Sequence, residues 1–149
     1  MSVAGDSSVD GIKRIKELDL SCDLAIIAFG MNDQNYNANE KIPFVPPKWY
    51  EFNISYFIDL FKSNNAEILL LSPHLPNPKW VFTSGWLEDY VCALHHISQK
   101  QSVPFANVYE TFKLVYAKGK SYESILRNNI NHPNDFGHNL YFQTIKKFF

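Results

Sequence analysis

The stretch Asp23-Leu-Ala-Ile-Ile-Ala-Phe29, followed directly by Gly30-Met-Asn-Asp33, decides the fold class of this 149-residue chain. Its first seven residues are almost continuously apolar, which is typical of a strand buried on both faces of a sheet. Ala66-Glu-Ile-Leu-Leu-Leu-Ser72 has the same character. A weaker third strand is predicted over residues 103–108, where Pro104 indicates a strand start or an edge.

Helical patterns lie between and around these strands. Residues 47–63 open with proline and place large apolar side chains at three- and four-residue steps, which predicts a helix that covers the sheet. Residues 84–100 repeat the pattern with Ser84 as N-cap, residues 10–18 form a shorter helix, and a last helix follows Pro133. This alternation predicts an α/β fold with a mostly parallel sheet and right-handed crossovers.

Composition narrows the function classes. A chain of this length that is 46% hydrophobic suits one domain with one core. Fourteen basic against fifteen acidic side chains, with no run of either sign, argue against nucleic acid or a membrane surface as partner and favour a small molecule. Neither a leader nor a membrane-spanning stretch is visible, so the cytoplasm is the default expectation. Cys22 and Cys92 are interpreted as small core residues.

Chemistry is expected in the loops after the strands, because open α/β sheets bind ligands at the carboxyl ends of their strands. Gly30-Met31-Asn32-Asp33 comes directly after the first buried strand. Glycine permits a sharp exit from the strand, and the Asn32 amide is an uncharged donor able to stabilise an oxyanion. An ordinary turn is the alternative interpretation of the same residues.

A second polar loop runs from Asn129 to His138 and feeds the last helix. His132 is the candidate general base, because it precedes a proline that can open a helix and its ring can project from a constrained loop. A solvated loop histidine is the alternative. His138 is interpreted as a packing or hydrogen-bonding residue, and His74 is assigned no role because it has no flanking signature.

Together these loops resemble the motif blocks of the SGNH (GDSL-type) hydrolases, a class of serine esterases and lipases. The resemblance implies a flavodoxin-like three-layer parallel sheet and no metal or cofactor. It implies that Asn32 donates to the oxyanion, that Asp33 supports its loop and that His132 activates the serine. The N-terminal segment resembles the family's glycine block, which implies Gly5 as the second oxyanion donor. The blocks run in family order over nearly the whole chain.

The nucleophile departs from the family pattern. The family's serine lies in a Gly-Asp-Ser segment that follows its first strand and precedes the glycine block. Gly5-Asp6-Ser7 imitates that segment, but four residues before it are too few for a buried strand, so Ser7 is interpreted as a false match. We therefore expect a single, N-terminally truncated domain that lacks the first strand, is inactive alone and self-associates through its exposed sheet.

The third member of the catalytic group also departs from the family pattern. The family usually has an aspartate three residues before the histidine, where this chain has Asn129. Asn129 could orient the ring by accepting from its N–H, as an asparagine does in some cysteine proteases. The sequence leaves open Asp135, Asp33 or no third member as alternatives.

Aromatic and amide side chains in the long loops suggest the substrate. Trp80 and Tyr36 are candidate platforms for a sugar, and Asn37, Phe82 and Trp86 accompany them. The combination favours an acetylated carbohydrate over a lipid as the ester substrate. The alternative is that the aromatic residues merely pin the loop to the surface.

Three functions compete at this point. The first is a serine esterase or acylhydrolase, including a carbohydrate O-deacetylase. The second is a non-catalytic SGNH-like module that binds a ligand in the same crevice. The third is a metal hydrolase with His132, Asp135 and His138 as ligands, although their spacing matches no common zinc pattern.

Overall fold

A parallel sheet forms the centre of the computed structural model, which describes residues 3–37, 42–80 and 85–149. In chain order its strands are β1 (Leu24–Ile27), β2 (Tyr36–Asn37), β3 (Ile42–Pro43), β4 (Glu67–Leu71) and β5 (Phe105–Ala106). Within the described residues, the main sheet has the order β1-β4-β5, and both strand pairs are parallel. Strands β2 and β3 form a separate antiparallel pair.

Helices alternate with the strands of the main sheet, which confirms the predicted α/β class. The helix predicted from residue 47 to residue 63 has those bounds, because Pro47 occupies its first turn and its apolar stripe packs on the sheet. The α-helices are α1 (Ser8–Ile15), α2 (Pro47–Ser63), α3 (Leu87–Gln101), α4 (Val108–Ala117) and α5 (Asp135–Ile145).

Three boundaries differ from the predictions. The first helix starts earlier, at Ser8, because Ser7 and Asp10 form a capping box there. Helix α3 begins at Leu87, and the predicted N-cap Ser84 lies outside the described residues. The third strand ends before Asn107, whose side chain accepts from the backbone N–H of Glu110 and so starts a helix that the sequence reading assigned in part to a strand.

Hydrophobic cores lie on both faces of the sheet, which gives the three-layer arrangement. On one face, side chains of β1 and β4 such as Ile27 and Leu70 pack with α1, α2 and α3. On the other face, Leu69 and Leu71 pack with α4 and α5. Alternating residues of β4 therefore enter different cores, as the period of a strand requires. This explains why the strand sequence is apolar at nearly every position.

Two further observations concern the surface. No helix in the described part of the chain is both long and apolar enough to cross a membrane. Both cysteines are free and exposed, so the interpretation of Cys22 and Cys92 as core residues is wrong. Cys92 lies on the outer face of α3, and Cys22 lies in the segment before β1.

Candidate active site

The loop after β1 turns sharply at Gly30. Its φ of 120° lies in the region that L side chains rarely adopt, and a Cβ there would come 3.2 Å from the Tyr50 hydroxyl. That hydroxyl donates a 3.0 Å hydrogen bond to the carbonyl of Phe29. The exit from the strand is therefore fixed by α2, which carries the tyrosine.

Asp33 holds this loop to the start of α1. Its side chain is fully buried, and its two carboxylate oxygens accept from the backbone N–H of Ser8 and of Gly30, both at 2.9 Å. Burial raises the pKa of Asp33, although the two N–H donors oppose that shift. The carboxylate therefore joins the start of α1 to the β1 loop. Among the described residues it has no hydrogen bond to a histidine.

Asn32 lies directly beside the N-terminal glycine segment. Its amide nitrogen donates a 2.9 Å hydrogen bond to the carbonyl of Asp6, and both Asn32 and Gly5 line the groove next to β1. An asparagine amide has two N–H groups, and the second has no acceptor among the described residues. The Gly5 N–H is also unpaired within the described chain. The structure thus brings the two predicted oxyanion donors together.

Ser7 has a structural role at this place. Its hydroxyl donates to the Asp10 carboxylate at 2.6 Å and accepts from the Asp10 backbone N–H at 3.4 Å. The hydrogen bonds from Ser7 lower the pKa of Asp10. Ser7 is therefore the N-cap of α1, and the hydrogen bonds of its hydroxyl are to Asp10.

The backbone around His132 is held on both sides. Its N–H donates to the side-chain oxygen of Asn128 at 3.0 Å, and its carbonyl accepts from the N–H of Arg127 at 2.7 Å. The same Asn128 oxygen accepts from the N–H groups of Ile130 and Asn131, each at 3.0 Å. The His132 ring is exposed and makes no hydrogen bond to any described residue. A fixed backbone thus presents a free imidazole.

Asn129 does not reach the His132 ring. Its backbone adopts a φ of 55°, and its carbonyl and side-chain oxygens accept from the Asn77 amide at 2.7 and 3.2 Å. Asn77 is buried, and its own N–H donates to the carbonyl of Ile130 at 2.7 Å. Asn129 thus joins the histidine loop to the loop after β4, and no hydrogen bond among the described residues joins it to the His132 ring.

The residues after His132 explain the rest of the motif. Pro133 pairs with Leu126 in an isolated bridge. The side chain of Asn134 caps α5 by accepting from the N–H of Gly137 at 3.1 Å. A Cβ on Gly137 would lie 2.7 Å from the carbonyl oxygen of Ile125, so the helix packs against the loop at a distance that only glycine permits.

His74 is a functional candidate that the sequence analysis missed. It follows β4, is 5% exposed, and contacts Tyr141 and Asn131 through its two ring nitrogens at 2.8 and 3.0 Å. Burial, with smaller effects from His132 and His138, lowers its pKa to about 4. The sequence contains no local signal for this role of His74, because its partners Asn131 and Tyr141 lie 57 and 67 residues further along the chain.

The two polar loops meet at the same edge of the sheet. A Cβ on Gly30 would lie 3.4 Å from Pro73, so the loops after β1 and β4 are in contact, and the β4 loop in turn carries His74 and Asn77 against the histidine loop. His132 does not line the groove that Gly5 and Asn32 share, and no described hydrogen bond joins it to either residue. His132 and the pair Gly5 and Asn32 therefore lie at one edge, with no hydrogen bond between them among the described residues.

The remaining predicted residues are scattered. Trp80 is 9% exposed, whereas Tyr36 is half-buried in the β2–β3 pair. Asp135 and His138 are exposed on the first turns of α5. Within the described residues, no three His, Cys, Asp or Glu side chains are grouped closely enough to hold a metal ion. Phe82 and the side chain of Asn37 lie outside the described part.

Solved structures share this fold. No protein-family model and no curated protein matches the sequence. A lipase/acylhydrolase from Enterococcus faecalis has a TM-score of 0.73 at 19% identity, over 95% of this chain and 69% of its own. The acetylxylan esterase Axe2 from Geobacillus stearothermophilus has a TM-score of 0.79 at 19% identity, over 96% and 67%. The α/β hydrolase LAE5 from the Lake Arreo metagenome has a TM-score of 0.75 at 19% identity, over 92% and 65%.

The likeness extends through nearly the whole of this chain but about two thirds of each neighbour. Two of the similar structures are described as catalytic mutants of the Geobacillus esterase, one with a serine and one with an aspartate replaced by alanine. At this level of identity the comparison shows that the chain has the fold of these hydrolases.

Proposed function

We propose that this chain carries the oxyanion hole and the general base of a serine ester hydrolase of the SGNH class. The observation that carries the proposal is the Asn32 amide, which is fixed by the Asp6 carbonyl and shares a groove with Gly5, whose N–H has no partner among the described residues. Two N–H donors in one groove are what an acyl-transfer site needs for its tetrahedral intermediate. The shared fold with acylhydrolases and esterases supports the same class.

In the proposed reaction, His132 removes the proton of a serine hydroxyl as the oxygen attacks the ester carbonyl. Asn32 and Gly5 hold the oxyanion, the alcohol leaves with the proton from His132, and water then cleaves the acyl-enzyme. No serine hydroxyl in the described residues bonds to the His132 ring. We therefore propose that the nucleophile is a serine outside the described residues. The catalytic serine mutant of the Geobacillus enzyme supports serine chemistry on this fold.

The proposed substrate is an acetyl ester of a carbohydrate. Support comes from the acetylxylan esterase among the structural neighbours and from exposed ring surface near the loops, such as Trp86, which is 43% exposed. Aromatic faces of this kind stack on sugar rings. Trp80, with 9% of its surface exposed, offers little area for stacking, so Tyr36 and Trp86 are the better candidates within the described residues.

Replacement of Asn32 by alanine tests the oxyanion hole. In protein expressed from the complete gene, we expect Asn32→Ala to lower kcat by about 10²–10³-fold, because one preorganised donor to the transition state is lost. The measurement is hydrolysis of 4-nitrophenyl acetate and of acetylated xylooligosaccharides, with an unfolding curve for each variant. Asn139→Ala, an exposed asparagine on α5, is the matched control and should leave kcat unchanged.

Near-normal turnover by Asn32→Ala would remove the oxyanion assignment. A fluorophosphonate probe separates the esterase from the competing hypothesis, a binding module that has kept the fold and lost the reaction. Labelling of a serine in the complete protein supports the esterase. Absence of both labelling and turnover, with retained binding of acetylated oligosaccharide in calorimetry, supports the binding module.

A further inference from the structure

We infer that His74 is a positioning residue for His132, and that it acts through the peptide bond between Asn131 and His132. The inference rests on the proposed function, in which His132 is the base. His74 touches neither the His132 ring nor the groove beside β1. Its contact is with the carbonyl of the residue that immediately precedes the base.

The partners of His74 fix its protonation. The Asn131 carbonyl only accepts hydrogen bonds, so Nε2 of His74 must carry a proton, and Nδ1 then accepts from the Tyr141 hydroxyl. Burial favours this neutral ring, and Phe112 packs against it with ring centroids 5.0 Å apart. The result is a directed chain from the Tyr141 O–H through the imidazole to the Asn131 carbonyl.

This chain ends on a peptide group that is held from its opposite side as well. The C=O of that group accepts from His74 at 3.0 Å, and its N–H, which belongs to His132, donates to Asn128 at 3.0 Å. A peptide group held at both its oxygen and its hydrogen cannot rotate without breaking a hydrogen bond. The direction in which the His132 side chain leaves the backbone is thereby set by groups on the loop after β4, on α5 and on the histidine loop itself.

The location of His74 adds a link between two loops. It follows β4, the strand next to β1, whereas the loop after β1 carries Asn32. His74 therefore holds the backbone of His132 at the same sheet edge as the proposed oxyanion donors. Displacement of a catalytic group by about 1 Å can lower a rate by about 10²-fold. The position of the His132 backbone therefore affects the rate even though the ring itself is exposed.

The test compares two substitutions of His74. A glutamine can donate to the Asn131 carbonyl and accept from Tyr141, whereas a leucine can do neither. In the complete protein, we expect His74→Leu to lower kcat for 4-nitrophenyl acetate by 10-fold or more, with KM within about twofold of the wild-type value. We expect His74→Gln to keep most of the wild-type kcat. A purely structural role predicts a lower melting temperature with kcat unchanged at temperatures where the variant is folded, and that result would overturn the inference.

Tyr141→Phe provides a variant with a smaller change. It removes the hydroxyl donor to Nδ1 but keeps the ring that packs on Phe112. We expect a fall in kcat between those of the two His74 variants. Equal kcat for wild type, His74→Leu and Tyr141→Phe contradicts the inference.

Hydrogen exchange tests whether His74 holds the backbone of His132, and it requires no measurement of activity. In His74→Leu, the amides of His132 and Arg127 should exchange at least 10-fold faster than in wild type, while the amide of Ile54 in the core keeps its relative protection. If the wild-type protein hydrolyses no ester, the proposed function fails, yet faster exchange at these two amides still shows that His74 holds the loop. Unchanged exchange refutes the positioning role.

Discussion

Burial sets the charge of His74 and makes the stability of the protein depend on pH. The pKa of this ring falls from 6.5 to about 4 in the folded state, chiefly because the buried site disfavours the imidazolium. Tyr141 faces one ring nitrogen, and His132 and His138 are the nearby groups that oppose a positive charge. Between pH 4 and 6.5 the unfolded chain therefore binds a proton that the folded chain does not.

The sign of the pH effect follows from that difference. The contribution of His74 to the free energy of unfolding is complete above pH 6.5 and is lost as the pH falls towards 4, by about 3 kcal/mol in total. Urea unfolding of wild type and His74→Gln from pH 7.5 to 4 measures it, because groups shared by both proteins cancel in the difference. A difference that stays constant over this range would show that His74 titrates normally.

At the residue scale, the sequence motifs predicted the positions of the polar loops better than the hydrogen-bond partners of those loops. Gly30, Asn32 and Asp33 occupy the strand exit that the sequence predicted, because a buried apolar strand followed by glycine has few alternatives in an α/β fold. His74 and Asn128 were not predictable, since each acts on a carbonyl or N–H whose position only the folded chain defines. Local sequence records the cap at Asn134 but not a contact across 57 residues.

At the scale of elements, the packing of α5 against the histidine loop depends on the absence of a side chain. Replacement of Gly137 by alanine should destabilise the protein by up to about 2 kcal/mol. The new Cβ would overlap the Ile125 carbonyl oxygen and Pro133, which costs about 1–3 kcal/mol. The higher helix propensity of alanine offsets about 1 kcal/mol of that cost. Asn139→Ala in the same helix is the control and should be neutral or slightly stabilising, as judged by urea unfolding. A Gly137→Ala variant as stable as wild type would show that the loop can move aside freely.

The elements themselves were predictable where two signals coincide. Helix α2 has a proline in its first turn and a regular apolar stripe, and its bounds agree with the prediction. Helix α4 was missed, because Val108 and its neighbours continue an apolar run and the only start signal is the Asn107 cap. The β2–β3 pair was also missed, since two residues per strand are too few to show a period.

At the scale of the whole molecule, the sheet determines which loops can cooperate. Parallel strands β1 and β4 end at one edge, which is why the loops that carry Asn32 and His132 lie at that edge although 100 residues separate the two in the sequence. The sequence could predict that edge, because open α/β sheets bind ligands at the carboxyl ends of their strands. It could not predict that the loop after β4, through Asn77, fastens the histidine loop to the sheet.

We predict that the 149-residue chain self-associates through the outer edge of β1. Asp23 accepts from the N–H of Glu67 on β4, so strand alternation turns the backbone groups of Leu24, Ile26 and Ala28 to the other edge, where the described residues provide no partner strand. Ile26 is 48% exposed, and a groove of about 820 Å³ runs along this strand. Such an edge pairs with another copy of itself in an isologous contact.

Light scattering during size-exclusion chromatography measures the effect. The wild-type chain should pass from monomer to dimer as its concentration rises, and Ile26→Lys should remain monomeric at concentrations where the wild type is dimeric, because a charged residue opposes pairing of edge strands. Leu114→Lys is the matched control, since Leu114 is 52% exposed on α4 and should leave the dimer intact. A wild-type chain that stays monomeric and melts cooperatively at every concentration would show that the groove is covered in another way.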